Sequence, residues 1–359
     1  MQPPRDDSED GCHCGLDACN DVLKLAGLVA LTKALDPLDP RDFLVMVERM
    51  SQRLIGKTAS TESAAMKAAM RALDVDWANL SAAASERAVT AASIALDAAK
   101  RGALPVVRQE FELQAPRIVG DTRTATRRRF DLNIEASMSE FDEKIAEHLR
   151  KSQTAFVTDA YGRRSEAFSA AAREKVAQGM ERGLGRVDIA ADLQRMTGAA
   201  ALARGPDYWR VVAGAFMNRA RVGSLVSSFS EARIERFRVT AVLDQRTTIC
   251  CRFMDGKTFS VSSSLETMKS TMATEKPEDI RYLQPWIERG KDEDGNAILY
   301  YKQRDGSRQV VADVIRSGVG RADDRGEFRA RMSDAKLEAT GISMPPYHRT
   351  CRTTVTTIT

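Results

Sequence analysis

At about Ile234 the chain changes its period, and that change limits the architectures open to it. Upstream, from about Asp21 to Ser228, apolar residues recur at helical spacing; Leu73, Trp77 and Leu80 fall four and three apart in an Ala-rich segment that runs towards Lys100. Downstream, Phe237, Val239, Ala241 and Leu243 alternate with Arg238, Thr240 and Val242, the two-residue repeat of a strand with one buried face. One uniform architecture does not carry both periods. The expected fold is a mainly α N-terminal body, residues 21–233, followed by a small α+β C-terminal domain with β-hairpins, residues 234–359. At 359 residues the chain exceeds the size at which one core keeps growing, and 6% aromatic content suits Ala-rich helices better than a sandwich or barrel.

Within the body, "RVDIAADLQRMTG" reads as a short helix with Asp188 as N-cap, Ile189, Leu193 and Met196 on the buried face and Gly198 as its stop. The next helix starts at about Asp207 and places Trp209, Val212, Phe216 and Ala220 on one side. Between helices, "GDTRTATRRRFDLN" concentrates Arg123, Arg127, Arg128 and Arg129. Guanidinium groups at that density suit phosphates or an acidic partner surface, and equally a solvated loop or helix start. No aromatics are interleaved to stack on bases. The net charge of +4, from 54 basic and 50 acidic residues, does not by itself argue for nucleic acid.

Residues 1–20 read as a flexible, acidic arm holding Cys12, Cys14 and Cys19 beside His13. Ligands that close together are awkward for one tetrahedral ion, so reduced thiols are the plainer expectation there. The first residues lack a basic stretch followed by an apolar one, and the run Leu25–Leu31 is far shorter than a membrane span, so neither secretion nor membrane insertion is expected.

Past the period change, Asp255-Gly256 suits a tight turn and "KTFSV" a returning strand, so residues 236–261 propose paired strands around Cys250 and Cys251. "DEDGNAILYYKQRDGSRQVV" carries two more Asp-Gly signals around Ala297–Tyr301 and predicts a second hairpin. Near the C-terminus, "PPYHRTCRTT" supplies His348 and Cys351, in a chain with only 3 His and 6 Cys.

"LDQRTTICCRFMDGKTF" followed by "PPYHRTCRTT" resembles the signature of the phage Mu F-like minor head proteins, or phage head morphogenesis proteins. That signature runs Asp-x-Arg-Thr, Cys-x-x-Cys, Asp-Gly-Lys, and much later Pro-Pro-x-His-x-x-Cys-Arg-Cys. Asp244, Arg246 and Thr247 match its first element, Cys251 the second cysteine, Asp255, Gly256 and Lys257 the turn, and Pro345, Pro346, His348, Cys351 and Arg352 the terminal element. The resemblance covers roughly residues 175–359. Thr248 and Thr353 stand where cysteines are expected, and the gap between the halves is long, with the second hairpin as an insertion within it.

What the resemblance implies is a structural protein of a tailed phage, prophage or gene-transfer particle. It would act in prohead assembly with the portal or major capsid protein, in the host cytoplasm and then the virion head, with a role in packaging or ejecting DNA. It also implies a structural zinc on Cys251, His348 and Cys351, with Cys250 as fourth ligand if the backbone turns there. The alternative is a fold held by packing, with the same side chains hydrogen-bonded in its core. Asp244, Arg246 and Asp255 admit plain roles at turns and loop carbonyls. Neither an enzyme nor a small-molecule substrate is expected: HExxH, a Gly-rich phosphate loop and GxSxG are missing from the sequence. The rival classes are a metal-dependent toxin or hydrolase built on a Cys251–His348 pair, and a DNA-binding accessory protein using the arginine run.

Overall fold

The computed structural model describes residues 34–181 and 206–358. The Cys12–Cys19 arm, the run Leu25–Leu31 and the expected helix from Asp188 to Met196 lie outside the described residues. The architecture is mainly α, followed by a small α+β region of antiparallel sheets, as the change of period predicts. Among the described residues no helix is long and apolar enough to cross a membrane.

Among the described residues four long helices come first: α1 (Pro40–Leu73), α2 (Ala82–Arg129), α3 (Glu140–Glu181) and α4 (Pro206–Glu231). Asp39 starts α1 by accepting from the N–H groups of Arg41 and Asp42, with Pro40 at the first helical position, where its missing N–H leaves nothing unpaired. The stripe Leu73, Trp77, Leu80 does not lie on one helix, contrary to its spacing. Asp74 to Asp76 break the helix, the Trp77 indole donates to the Leu73 carbonyl at 3.1 Å, and Ser81 caps α2. Asp and Val are weak helix formers, and a buried Trp held on the last carbonyl of α1 supplies the stop.

By its contacts the chain divides into two compact units. One comprises Arg49–Arg117 with the described part of Ala146–Phe216. Leu54, Ala69, Leu96, Val107, Phe111, Trp209, Val212 and Phe216 are buried in it, and Phe111 stacks on Phe216 at 4.9 Å between ring centroids. Alanines at 92, 99 and 103 let helices approach closely; a Cβ at Gly102 would come within 2.4 Å of the Thr61 methyl.

The other unit takes the described residues up to Glu48, Ile118–Ile145 and those from Met217 onward. It therefore includes helical segments that the expected boundary at 234 assigns to the body. After α4 come β1 (Arg236–Thr240), α5 (Ile249–Met254), β2 (Thr258–Ser260), α6 (Val261–Ala273) and α7 (Ile280–Leu283). The meander β3 (Glu288–Lys291), β4 (Ala297–Lys302), β5 (Arg308–Arg316) and β6 (Glu327–Ala330) follows, then α8 (Asp334–Ala339) and β7 (Thr354–Thr357). Strands pair antiparallel in two sheets, ordered β2-β1-β7 and β3-β4-β5-β6. The second expected hairpin is thus part of a four-stranded sheet. Its two Asp-Gly turns place Gly295 and Gly306 at φ of 82° and 85°, where only glycine is unstrained.

Phe229 from α4, Phe237 and Val239 from β1, Phe259 from β2, Leu299, Val311, Leu337, Tyr347 and Val355 share one core. Each large apolar side chain buried there contributes on the order of 1.5–3 kcal/mol. That core includes Cys250, Cys251 and Cys351.

Candidate metal centre and its supporting shell

The two adjacent cysteines lie on a short helix between the paired strands β1 and β2. Thr248 has extended backbone angles and its side chain accepts from the Cys251 N–H at 3.4 Å, an N-cap that starts α5. Helical geometry rotates neighbours by about 100°. Cys250 and Cys251 therefore diverge: the Cys250 thiol donates to the Ile287 carbonyl at 3.2 Å, while Cys251 faces the chain's C-terminal segment.

Cys251 Sγ lies 3.0 Å from His348 Nε2 and 3.6 Å from Cys351 Sγ. Ligand atoms of Cys251, His348 and Cys351 all fall within 4.8 Å of one another, and among the described residues no other His, Cys, Asp or Glu joins them. Around a tetrahedral zinc, bond lengths imply about 3.8 Å between two sulfurs and about 3.6 Å from sulfur to nitrogen. The donor set and the sulfur–sulfur spacing fit a metal site, and His348 Nε2 lies about 0.6 Å closer to Cys251 than a bound ion would hold it. Cys250 is not the site's fourth corner. Oxygens stand there instead: Thr248 Oγ1 is 2.9 Å from His348 Nε2, and the Thr353 hydroxyl hydrogen-bonds Cys251. Both threonines that replace the expected cysteines therefore sit on the cluster.

The far side of the imidazole fits a metal less well. The Thr350 N–H donates to His348 Nδ1 at 3.3 Å, whereas a metal-ligating histidine ordinarily donates from its second nitrogen. With Nδ1 accepting, the proton of a neutral ring sits on Nε2 and points at Cys251 and Thr248. Loading a metal requires that contact to give way.

The two thiols have opposite protonation tendencies. The Cys351 thiol donates to Cys251 and holds its pKa below the ordinary thiol value against the opposing effect of burial, helped by Thr248 and Thr353. Burial, the same hydrogen bond and the neighbouring sulfur push Cys351 well upward. Of the two thiols, Cys251 is therefore the one that gives up its proton more readily.

Positioning comes from residues that sequence reading passed over. Asn218, on the buried face of α4, donates to the carbonyls of Cys351 at 2.6 Å and Thr353 at 3.2 Å. Arg221, one turn further on, donates to the carbonyls of Pro37, Arg352 and Thr353 and lies 3.7 Å from the centre of the Phe43 ring. Two strongly polar residues inside an apolar helical stripe are the signal that could have found them. Arg252 is likewise buried and donates to the carbonyls of Asp244, Thr247, Arg321 and Asp324, which pins the irregular corner before α5.

Asp244 accepts from the backbone N–H of Arg246 and the Thr247 hydroxyl, and forms a two-pronged ion pair with Arg352 at 2.6 and 2.7 Å. Arg246 contributes its backbone N–H to that turn. Burial opposes the Asp244 charge, but the Arg352 fork outweighs it and holds the carboxyl down to about 2. Asp255 accepts from the Ala241 N–H and pairs with Arg325 at 2.7 Å, beside Gly256 at a φ of 82°. Pro346 follows Pro345 through a cis peptide bond in the segment leading to His348.

The arginine run is not a loop. It forms the end of α2, and its members part company. Arg123 is fully buried: it donates to Asp142 at 3.0 Å, to Glu231 at 2.7 and 2.8 Å and to the Glu135 carbonyl at 2.9 Å. It is therefore not available to DNA or a partner surface. Arg129 donates to the Leu38 carbonyl, and Arg127 and Arg128 are exposed at the helix C-terminus, where positive charge complements the helix dipole. Compared with protein-family models, curated proteins and solved structures, the chain matches none.

Proposed function

We propose that the chain is a minor head protein of a tailed phage, prophage or gene-transfer particle, acting in prohead assembly beside the portal or major capsid protein. The observation that carries this reading is the meeting of the two halves of the signature. His348 lies against Cys251, 97 positions away in sequence, and Cys351 completes the set. Closure of that kind gives a rigid element on which partner-binding surfaces are held. The burial of both cysteines, 3% and 2% exposed, favours a structural knot over an open cleft that admits a substrate of more than a few atoms. In this reading Cys251, His348 and Cys351 hold one structural zinc, with an oxygen at the remaining corner. When bound, the metal would link α5 to the C-terminal segment.

Arg127 and Arg128 are the members of the arginine run that remain for contact with an acidic portal surface or packaged DNA. The test is co-expression with any portal and major capsid proteins encoded in its genomic neighbourhood. Co-purification with portal, and incorporation into proheads that falls at least tenfold in a Cys351→Ser chain, is the expected outcome. A monomer that ignores both proteins and assembles into no particle would overturn the reading.

A further inference from the structure

We propose that Cys251 and Cys351 form an oxidisable pair, which a hydroperoxide converts into an intramolecular disulfide joining α5 to the C-terminal segment. The inference rests on the cluster's geometry and requires neither a bound metal nor the particle reading. The two sulfurs are already in contact at 3.6 Å, whereas Cys250, the nearest competing thiol in sequence, is turned away onto the Ile287 carbonyl. Forming the bond requires an approach of about 1.6 Å, within reach of side-chain rotation. His348 Nε2 and the Thr248 and Thr353 hydroxyls surround Cys251 Sγ and orient it. Among the described residues no further sulfur joins Cys251 and Cys351 to lock the pair into a closed metal centre, and threonine stands at 248 and 353.

The chemistry closes without further reagents. Cys251 sulfur attacks one oxygen of the peroxide, the O–O bond breaks, and the departing hydroxide takes the thiol proton to leave as water. The product is a sulfenic acid at Cys251. Cys351 sulfur then attacks the Cys251 sulfur and displaces its hydroxyl, which leaves as water with the Cys351 proton. Two thiols are oxidised by two electrons, and one peroxide is reduced to two waters. The bond spans 100 sequence positions, a long loop whose closure restricts the unfolded chain strongly in the chain-entropy account. Oxidation thus fixes the same corner that a metal would fix, under conditions in which a thiolate-bound metal is lost.

The experiment uses the full chain, stripped with a chelator and treated with one equivalent of hydrogen peroxide, then alkylated and digested with trypsin. Expected is the loss of two alkylatable thiols and a cross-link between peptides 247–252, TTICCR, and 350–352, TCR. Because the first peptide holds both Cys250 and Cys251, the assignment uses a Cys250→Ser chain, which forms the same link at the same rate. A Cys351→Ser chain instead accumulates a sulfenic acid at Cys251 that a cyclic dione traps. A link that disappears with Cys250→Ser, or full alkylation of Cys251 and Cys351 after the peroxide is consumed, would refute the pair while leaving the particle reading untouched.

Discussion

Replacing Arg123 by Met removes a buried guanidinium and nearly preserves its volume, which makes it a clean probe of how this unit is held together. The side chain is 1% exposed and its partner Asp142 is 0% exposed. Asp142 Oδ2 also accepts from the Ser139 N–H and hydroxyl, a capping box at the start of α3, while Oδ1 has no hydrogen-bond partner. Once the guanidinium is gone, the carboxylate is left buried with its charge uncompensated; Glu231, partly exposed, can turn to water. Breaking a buried pair in this way costs about 3–5 kcal/mol, against about 0–1 kcal/mol for an exposed one. The assay is urea unfolding followed by circular dichroism, read as a shift in midpoint at unchanged slope. Adding Asp142→Asn to Arg123→Met removes the stranded charge, and the pair couples by on the order of 1–3 kcal/mol. Arg127→Met and Arg128→Met stay within about 0.5 kcal/mol of the parent. An Arg123→Met cost below about 1 kcal/mol would show that this guanidinium is solvated, and the reasoning would fail.

Three further outcomes follow from contacts in the same unit. Asp244 is ionised down to about pH 2 in the fold, below its unfolded value of 3.8, so the stability it contributes is complete above about pH 4 and lost as pH falls towards 2. For a carboxylate about one-third exposed that amounts to on the order of 1 kcal/mol, and Asp244→Asn flattens the pH dependence of unfolding in that window; an unchanged acid limb contradicts this. Asn218→Ala strips the Cys351 carbonyl of its donor and destabilises by about 1–3 kcal/mol, with faster amide exchange across residues 351–357; unchanged exchange there refutes it. Gly341 has a φ of 79°, and a Cβ there would lie 1.9 Å from the Leu283 carbonyl oxygen, so Gly341→Ala lowers the thermal midpoint by more than about 4 °C, and an unshifted melt excludes the close approach.

Features set by local chemistry were legible in the sequence, and those set by distant partners were not. The alternation after Ile234 and the three Asp-Gly turns were readable because strand period and left-handed glycines are short-range requirements. The cluster was legible for another reason: cysteine and histidine are scarce here, so their recurrence stands out. By contrast, "GDTRTATRRR" looks like a loop until Asp142 and Glu231, 19 and 108 positions from Arg123, are brought to it. The spacing of Leu73, Trp77 and Leu80 continues across a helix break, because Trp77 is held by a carbonyl rather than by helical continuity. "TICCRF" carries strand-forming residues, yet Thr248 caps a helix there, and that single turn separates Cys250 from Cys251. Asn218 and Arg221 were hidden inside an apolar stripe; their acceptors are the backbone of a segment more than a hundred positions away.

The account depends on His348 and Cys351 joining Cys251 in one donor set. Cobalt(II) titration of the full chain, followed by absorption spectroscopy, tests this directly. The prediction is one ion per chain, with sulfur-to-cobalt charge transfer in the near ultraviolet and ligand-field bands of a tetrahedral site, and with loss of these features in Cys251→Ser and Cys351→Ser but not in Cys250→Ser. A spectrum that survives Cys251→Ser and Cys351→Ser together, or that disappears only when Cys12, Cys14 and Cys19 are replaced, would contradict it.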